Sequence, residues 1–291
     1  MGTAIKVVIF AVAFAVTTRL ISKPDVFDAS QIRGKRILIT GASSGIGEQL
    51  AYQYAKNGAH VFITARREKL LEQVVQNCKD IGAKDAHFGH VTTDMMKKAE
   101  IDRLVKTSVK ELGGLDVVVI NHAHLVDMKN FEDLDKAIES LQTCLTVNTV
   151  APAYIAGLTI PHLLKSGGQL GVVNSISGKI TMKYARPYSA SKFALDGYFT
   201  SLTDEMKNSN VSITNIVLGA IETESARTVI NTAKEELNFP AEKIQTVSAV
   251  ETAEFIMQGV AKGQKEIYYP PAMNYIVLFR EILTRFGLLG M

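Results

Sequence analysis

Cysteine is scarce in this sequence, and neither sign of charge is in large excess. The 291 residues include only two cysteines, Cys78 and Cys144, which lie far apart in segments of helical pattern. That spacing gives neither a disulfide framework nor a cysteine metal site. The 32 basic residues nearly balance the 29 acidic ones and are spread along the chain, which argues against dedicated nucleic-acid binding. A hydrophobic share of 47% is enough for a sizeable core.

The chain also lacks internal repeats, low-complexity segments and long linkers, so nothing marks a second domain. Beyond residue 34, short runs rich in Val and Ile alternate with segments of helical periodicity, which indicates a parallel sheet with helices on both faces. We therefore predict an α/β fold with a single doubly wound Rossmann-type domain over residues 34–271. The predicted strands are 36–40, 60–64, 86–90, 117–120, 170–173, 212–217 and 266–269, and the predicted helices are 45–56, 68–79, 98–112, 134–164 and 188–207.

Residues 1–24 contain a long hydrophobic run. No polar residue lies between Val7 and Val16, and the run extends over residues 4–21 if Lys6 and Arg19 reach outward from its ends. This length favours either a short membrane anchor or the hydrophobic region of a cleaved secretory signal. A surface helix is less favoured, because such a stretch would present nothing polar to water.

Two features disagree about the side of the membrane on which the body lies. Most of the nearby Lys and Arg residues follow the hydrophobic run, which by the positive-inside rule would hold the body in the cytosol. The glycosylation sequon Asn210-Val211-Ser212 favours a lumenal body. We expect an endoplasmic-reticulum membrane protein with a lumenal body, or a secreted protein if the segment is cleaved. The apolar C-terminal segment, residues 272–291, is expected to touch the membrane surface or a dimer partner.

A glycine-rich turn follows the first predicted strand directly, in the segment Thr40–Gly47. The spacing and the context, between a strand and a helix, predict a nucleotide site. Gly41 permits the tight bend, Gly45 lets the backbone approach a pyrophosphate at the helix N-terminus, and Gly47 lets the helix pack closely on the strand. Three other residues of the turn are also expected to contact the cofactor: Ser43, Ser44 and Ile46.

The end of the second predicted strand indicates which dinucleotide is bound. NAD enzymes place an acid there for the ribose 2′-hydroxyl, whereas this sequence has Arg66 and Arg67. Guanidinium groups favour a 2′-phosphate. We therefore predict NADP(H) as the cofactor; the alternative is that both arginines are merely solvated at a helix start.

Tyr188 and Lys192 lie four positions apart, so on a helix they share one face. Ser175 precedes Tyr188 by thirteen residues at the end of a predicted strand, where parallel sheets bind ligands. A phenol is a poor acid or base at neutral pH, and an adjacent ammonium group can stabilise its phenolate form. These three residues, with Asn148 from the long predicted helix, form the predicted catalytic set.

Taken in order along the chain, these motifs resemble the short-chain dehydrogenase/reductase family, and within it the 11β-hydroxysteroid dehydrogenase type 1 group. The resemblance covers nearly the whole chain and includes Asn121-His122, Phe193–Gly197 and Leu218–Thr223. It implies that Tyr188 exchanges a proton with the substrate oxygen. It also implies that Ser175 binds the substrate, that Lys192 binds the ribose and tunes Tyr188, and that Asn148 takes part in a water relay. Further cofactor contacts are implied at Thr92, Asn121, Ile221 and Thr223. The resemblance also implies a homodimer.

The sequence departs from the family pattern after the third and fourth strands. The familiar Asn-Asn-Ala-Gly is here Asn121-His122-Ala123-His124, and His90 stands where an acid is often found. A lysine of related steroid enzymes is here Ser44, which leaves Arg67 to complete the phosphate site. His122 and His124 suggest a metal, but alternate residues at a strand end point in opposite directions, so no metal site is predicted.

The favoured function is an NADP(H)-dependent enzyme that interconverts a secondary alcohol and a ketone on an apolar ring compound, most simply a steroid. A retinoid or general carbonyl reductase is the alternative among enzymes, and a catalytically idle NADP(H)-binding scaffold is the alternative outside them. Substrate choice is expected to depend on residues 224–238 and on Met182 and Tyr184, which flank Tyr188.

Overall fold

The computed structural model describes residues 27–126, 134–237 and 245–280. The predicted N-terminal membrane segment lies outside these described residues, as does most of the C-terminal segment. The nine strands are β1 (Arg36–Thr40), β2 (His60–Ala65), β3 (Phe88–Thr92), β4 (Val117–Ile120), β5 (Gln169–Ser175), β6 (Ser212–Leu218), β7 (Ile221–Glu222), β8 (Val247–Ser248) and β9 (Glu266–Tyr269).

Seven of these strands form one parallel sheet in the order β3-β2-β1-β4-β5-β6-β9, while β7 pairs only with β8. The helices of the described residues are α1 (Gly45–Lys56), α2 (Glu68–Ile81), α3 (Lys98–Leu112), α4 (Leu134–Leu145), α5 (Ala151–Ser166), α6 (Arg186–Glu205), α7 (Glu224–Leu237), α8 (Ala249–Ala261) and α9 (Ala272–Leu278). The prediction of a doubly wound Rossmann-type α/β domain is confirmed.

The alternation of side chains along each strand produces two hydrophobic layers. On β1, Ile37 and Ile39 face α1, α2 and α8, whereas Leu38 faces α3, α5 and α6. Because both faces are covered, most strand residues are apolar, as the Val- and Ile-rich runs indicated, although β5 and β6 also contain the buried polar residues Asn174, Thr214 and Asn215. The order of the strands reverses between β1 and β4, so the carboxyl ends of these two strands open a crevice of the kind in which such sheets bind ligands.

The third strand lies two residues later than predicted, at Phe88–Thr92 instead of 86–90. The backbone N–H of Ala86 is used in a turn with the carbonyl of Ala83, and that of His87 donates to the ring of His60. Pairing in the sheet therefore starts only after this turn. Sequence alternation alone could not locate the turn, because Ala86 is apolar and fits a strand equally well.

The predicted helix over 134–164 is interrupted. A single π-helical turn, Thr146–Val150, separates α4 from α5, and Asn148 lies in it. The segment 224–238, expected to be a substrate loop, is instead mostly helix α7. Thr223 precedes α7 and caps it by accepting a hydrogen bond from the backbone N–H of Ala226 at 3.2 Å.

Within the described residues, one helical run is long and apolar enough to cross a membrane by length and composition, the 33 residues Leu134–Ser166. Its residues Ile155, Ala156 and Leu163 are fully buried against the sheet. These contacts are those of a core helix of a globular domain.

Candidate active site

A cleft of about 800 Å³ opens at the carboxyl ends of the strands. It brings together most of the residues that the sequence singled out. Those that line it are Gly41, Ser43, Ser44, Gly45, Ile46, Arg66, Arg67, Asn121, Ser175, Tyr188, Lys192, Ile221 and Thr223. Gly47, Thr92 and Asn148 are not among the lining residues.

The glycine-rich turn has the backbone that its sequence predicts. Gly41 and Gly45 have φ angles of +67° and +61°, the left-handed region that favours glycine. A Cβ on Gly41 would lie 2.7 Å from the Cα of His122, and one on Gly45 would lie 3.0 Å from Thr223 Cγ2. The turn is therefore packed too tightly for side chains at these positions.

The third glycine has a packing role. A Cβ on Gly47 would lie 2.3 Å from the carbonyl oxygen of Gly41 and 2.6 Å from Nδ2 of Asn121. The same Asn121 nitrogen donates to the carbonyls of Thr40 and Gly41, both at 3.1 Å, so it fixes the turn from behind. The first N–H groups of α1 receive no side-chain cap from Ser44, which suits the binding of an anion at this helix end.

Arg67 is held over the same turn by two serines. Its Nη2 donates to Ser43 Oγ at 3.0 Å and to Ser44 Oγ at 2.6 Å, and its Nε donates to Ser43 Oγ at 3.2 Å. Arg66 is exposed at the cleft rim. The chain thus places two guanidinium groups and two hydroxyls where a ribose 2′-substituent is expected, a donor set that fits a phosphate better than a hydroxyl.

The catalytic trio meets on one side of the cleft. Ser175 ends β5, and Tyr188 and Lys192 lie one turn apart on α6. The Ser175 side chain lies close enough to the Tyr188 hydroxyl to lower its pKa, and Ser175 Oγ accepts a hydrogen bond from the backbone N–H of Ser177 at 3.2 Å. The Lys192 ammonium donates to the carbonyl of Val173 at 3.0 Å and lies 5.8 Å from the centre of the Tyr188 ring.

Burial controls the protonation of this trio. It raises the pKa of Tyr188 to about 12, partly offset by the nearby Ser175 side chain, and it lowers the pKa of Lys192 to about 8. Tyr188 is therefore a protonated phenol at neutral pH, the form that can donate to a carbonyl oxygen. The Lys192 ammonium is directed to the Val173 carbonyl, and its stabilisation of a Tyr188 phenolate stays a prediction.

Asn148 is fully buried and its amide is already engaged. Its oxygen accepts from the backbone N–H of His124 at 2.6 Å, and its nitrogen donates to the His124 carbonyl and to Ser191 Oγ, both at 3.0 Å. The side chain thus ties the π turn to the segment after β4 and to α6. A water relay at this residue remains a prediction.

His122 is a buried histidine with defined partners. Its Nε2 lies 3.1 Å from the carbonyl of Val147, which can only accept, so this nitrogen carries the proton. Its Nδ1 then accepts from the Thr40 hydroxyl at 2.7 Å. Burial, reinforced by the charge of Lys192, lowers the pKa of His122 to about 3. A metal at this position would have to displace both hydrogen bonds.

Three other residues lie close enough together to bind a metal ion. Glu68, Glu72 and His90 bring one ligand atom each within 4.8 Å of one another. Both glutamates are exposed, and exposed acidic groups commonly share such a spacing without an ion. The three residues contact nothing that points to a metal.

Thr92 does not reach the cleft. It ends β3, paired with Ala65, and its carbonyl accepts from Arg103 at 2.8 Å. Thr93 and Asp94 line the cleft instead. Because β3 ends at Thr92, two residues later than predicted, the residues that reach the cleft are those that follow the strand.

The cleft also has apolar lining residues. Leu125, Val147 and Val229 line it, together with Thr143 and Thr228. Met182 and Tyr184, expected to flank the substrate, do not line the cleft; they pack behind Tyr188 in a small cluster with Ala185 and Ala233. Thr228 and Val229 belong to the segment 224–238 that was expected to influence substrate choice, whereas Leu125, Thr143 and Val147 were not predicted, because no motif marks an apolar wall.

Comparison with known protein families identifies the family of this chain. Residues 35–234 match the sequence profile of the short chain dehydrogenase family. The chain belongs to the short-chain dehydrogenase/reductase family, an oxidoreductase family that binds nicotinamide cofactors.

Two relatives within the family have more specific names. The chain is 40% identical to Hydroxysteroid 11-beta-dehydrogenase 1-like protein of Danio rerio over 257 residues, which is 88% of this chain and 85% of that protein. It is 39% identical to the protein of the same name from Gallus gallus, over 84% of this chain and 82% of the relative.

Solved structures show the same fold at lower identity. A levodione reductase matches with a TM-score of 0.75 and 18% identity, over 84% of this chain and 99% of that one. A variant of actinorhodin polyketide ketoreductase, whose structure was determined with NADPH, matches with a TM-score of 0.72 and 24% identity, over 83% and 97% of the two chains. These likenesses establish the fold alone.

Proposed function

We propose that this protein is an NADP(H)-dependent oxidoreductase that interconverts a secondary alcohol and a ketone on a steroid-like compound. The observation that carries the proposal is the Tyr188 side chain, which lines one cleft together with Ser175 and lies one helical turn from Lys192. This is a proton donor paired with a second hydroxyl, as the reduction of a carbonyl requires.

When bound, the cofactor supplies a hydride to the carbonyl carbon or removes one from the alcohol. In the direction of reduction, the protonated Tyr188 hydroxyl donates a proton to the substrate oxygen, and the Ser175 hydroxyl donates a hydrogen bond to that oxygen. The Lys192 ammonium is placed to hold the nicotinamide ribose after leaving the Val173 carbonyl. Such acid assistance contributes roughly 10²- to 10⁴-fold in rate.

The preference for NADP(H) is supported by the arginine and serine cluster. Arg67 is pre-positioned by Ser43 and Ser44, so it loses little freedom when a phosphate arrives. Among the residues that line the cleft, the acids are Asp94 and Glu224, and neither belongs to β2, where NAD enzymes hold the ribose.

The steroid assignment rests on two observations. The lining of the cleft includes aliphatic side chains such as Leu125 and Val229, which suits an apolar ring system. In addition, the Danio rerio and Gallus gallus relatives carry the name hydroxysteroid 11-beta-dehydrogenase 1-like. We also propose that the protein resides at the endoplasmic-reticulum membrane through residues 4–21, with a lumenal body, and that it forms a homodimer.

Turnover measurements test the function. The full chain, purified in detergent, would be incubated with NADPH and a panel of ketosteroids, retinals, quinones and small ketones, while NADPH fluorescence and the formation of the alcohol are followed. We expect ketosteroids to be reduced with the highest kcat/KM. Preferential turnover of retinals or small ketones would identify a retinoid or general carbonyl reductase, and binding of NADPH without turnover of any compound would leave a cofactor-binding scaffold.

A further inference from the structure

A second polar cluster lies directly behind the catalytic serine. Asn174 precedes Ser175 on β5 and is only 2% exposed. Its side-chain oxygen accepts a hydrogen bond from the backbone N–H of Ser175 at 2.8 Å. Its side-chain nitrogen donates to Oδ1 of Asp196 at 3.1 Å. One buried amide therefore connects the serine to a carboxylate on another element.

Asp196 lies on the same face of α6 as Tyr188 and Lys192. It follows Lys192 by four positions and Tyr188 by eight, which places all three along one side of the helix. The Asp196 oxygen that binds Asn174 also accepts from Asn215 at 2.7 Å and from the ammonium of Lys179 at 2.9 Å. With three donors converging on it, the carboxylate is held in one position.

A second connection between β5 and α6 is made by the catalytic lysine itself. Lys192 donates to the carbonyl of Val173, the residue before Asn174. In the proposed reaction this lysine turns to the cofactor ribose, and the connection is then lost. The bond between Asn174 and Asp196 involves no group to which the proposed reaction assigns a chemical role.

We infer that Asn174 and Asp196 are positioning residues that keep the Ser175 hydroxyl against the Tyr188 hydroxyl throughout the reaction. The inference rests on the proposed function, since it concerns the two hydroxyls that bind the substrate oxygen. Ser175 is carried by β5 and Tyr188 by α6, so the distance between the hydroxyls depends on how these elements are fixed to each other. A misplacement of about 1 Å can cost on the order of 10²-fold in rate.

Kinetics of Asn174→Ala and Asp196→Ala test the inference. Each variant is expected to lower kcat by about tenfold or more, while KM for the ketone and Kd for NADPH change by less than about threefold.

Two further variants separate positioning from general damage to the fold. Thr214→Val alters a buried strand residue whose hydroxyl has no hydrogen-bond partner among the residues that the structure describes, and it should leave kcat unchanged. Asp196→Asn keeps an oxygen acceptor for Asn174 and should retain more activity than Asp196→Ala. If Asn174→Ala is not recovered in a folded form, the comparison of Asp196→Asn with Asp196→Ala still tests the inference.

A readout without substrate makes the test independent of the proposed function. With isotope-labelled tyrosine, the ring resonance of Tyr188 is identified by its absence in Tyr188→Phe. We expect this resonance to shift in Asn174→Ala and Asp196→Ala, and not in Thr214→Val. A wild-type protein that reduces nothing would refute the proposed function alone. Unchanged kcat in both alanine variants, or an unshifted Tyr188 resonance, would overturn the positioning role.

Discussion

At the residue scale, individual side chains decide which cofactor and which protonation state the site selects. Arg67 illustrates the first point, because its three hydrogen bonds to Ser43 and Ser44 fix the guanidinium over the glycine turn. His122 illustrates the second, since its two ring nitrogens are occupied by Thr40 and Val147 and the ring is kept neutral. Each of these side chains gives a measurable prediction.

Arg67→Ala should weaken NADPH binding by about tenfold or more, which corresponds to about 1.4 kcal/mol, because a charge-assisted contact to the 2′-phosphate is lost. NADH binding should change by less than about threefold, since NADH has no group for this contact. Fluorescence titration with both cofactors measures the effect. Lys69→Ala removes the same charge from an exposed neighbour outside the cleft and serves as control. Equal weakening of NADPH and NADH would refute the phosphate assignment.

The neutral His122 should make the fold sensitive to acid. Its pKa falls from 6.5 to about 3 on burial, so between these values the unfolded chain binds a proton that the folded chain does not. The contribution of His122 to the free energy of unfolding is therefore fully present above pH 6.5. It decreases by about 1.4 kcal/mol per pH unit as the pH falls toward 3.

Urea unfolding of the wild type and of His122→Asn across that pH window measures this sensitivity. The variant should show a flatter dependence on pH, whatever its stability at neutral pH. His162→Asn, which changes a partly exposed histidine of α5, should keep the slope of the wild type. Parallel slopes for His122→Asn and the wild type would show that His122 is not kept neutral by the fold.

At the scale of elements, the turn between β1 and α1 combines conformation and close packing. Gly45→Ala places a side chain at a φ of +61° and 3.0 Å from Thr223 Cγ2. We expect it to weaken NADPH binding by about tenfold or more while the fold is retained, because the backbone would move at the pyrophosphate site. Calorimetric titration with NADPH measures this loss.

Gly157→Ala is a matched control for this substitution. Gly157 lies in α5, and a Cβ there would meet nothing within 4 Å. The alanine should leave NADPH binding unchanged and raise helix stability slightly, by about 0.5–1 kcal/mol. If Gly45→Ala bound NADPH as tightly as Gly157→Ala, the turn would not be the pyrophosphate site.

The elements also show what the sequence could and could not predict. Short runs rich in Val and Ile, flanked by helical segments, were sufficient to predict the sheet and α1, because burial of a strand on both faces dictates that pattern. The π turn around Asn148 was not predictable, since it depends on hydrogen bonds to His124, which is distant in sequence. Asp196 carried one usable signal, its position one helical turn beyond Lys192.

At the scale of the whole molecule, the proposed lumenal body can be tested at the glycosylation sequon. Asn210 is exposed in the turn before β6, and one hydrogen of its side-chain amide is used in a bond to the Leu164 carbonyl at 3.0 Å. The other hydrogen can be replaced by a glycan without breaking that bond. The folded domain is thus compatible with glycosylation at this sequon.

For a lumenal body, protein expressed in animal cells should gain gel mobility on glycosidase treatment. This change should be absent in Asn210→Gln and present in Asn208→Gln, which alters a neighbouring exposed asparagine outside the sequon. A domain that is fully digested by protease added outside sealed microsomes would instead lie in the cytosol. Release into the medium of a chain that begins near Val16 would show that the N-terminal segment is a cleaved signal.

The central claim concerns the whole site, in which Tyr188 supplies the proton while the cofactor supplies the hydride. The most direct measurement is a single-turnover reduction of a ketosteroid by the enzyme and NADPH, compared between the wild type and Tyr188→Phe, with Tyr198→Phe on the exposed face of α6 as control. We predict that Tyr188→Phe slows the reduction by about 10²-fold or more and leaves Kd for NADPH within about threefold, whereas Tyr198→Phe changes neither. A Tyr188→Phe enzyme that keeps a tenth or more of the wild-type rate would contradict the account.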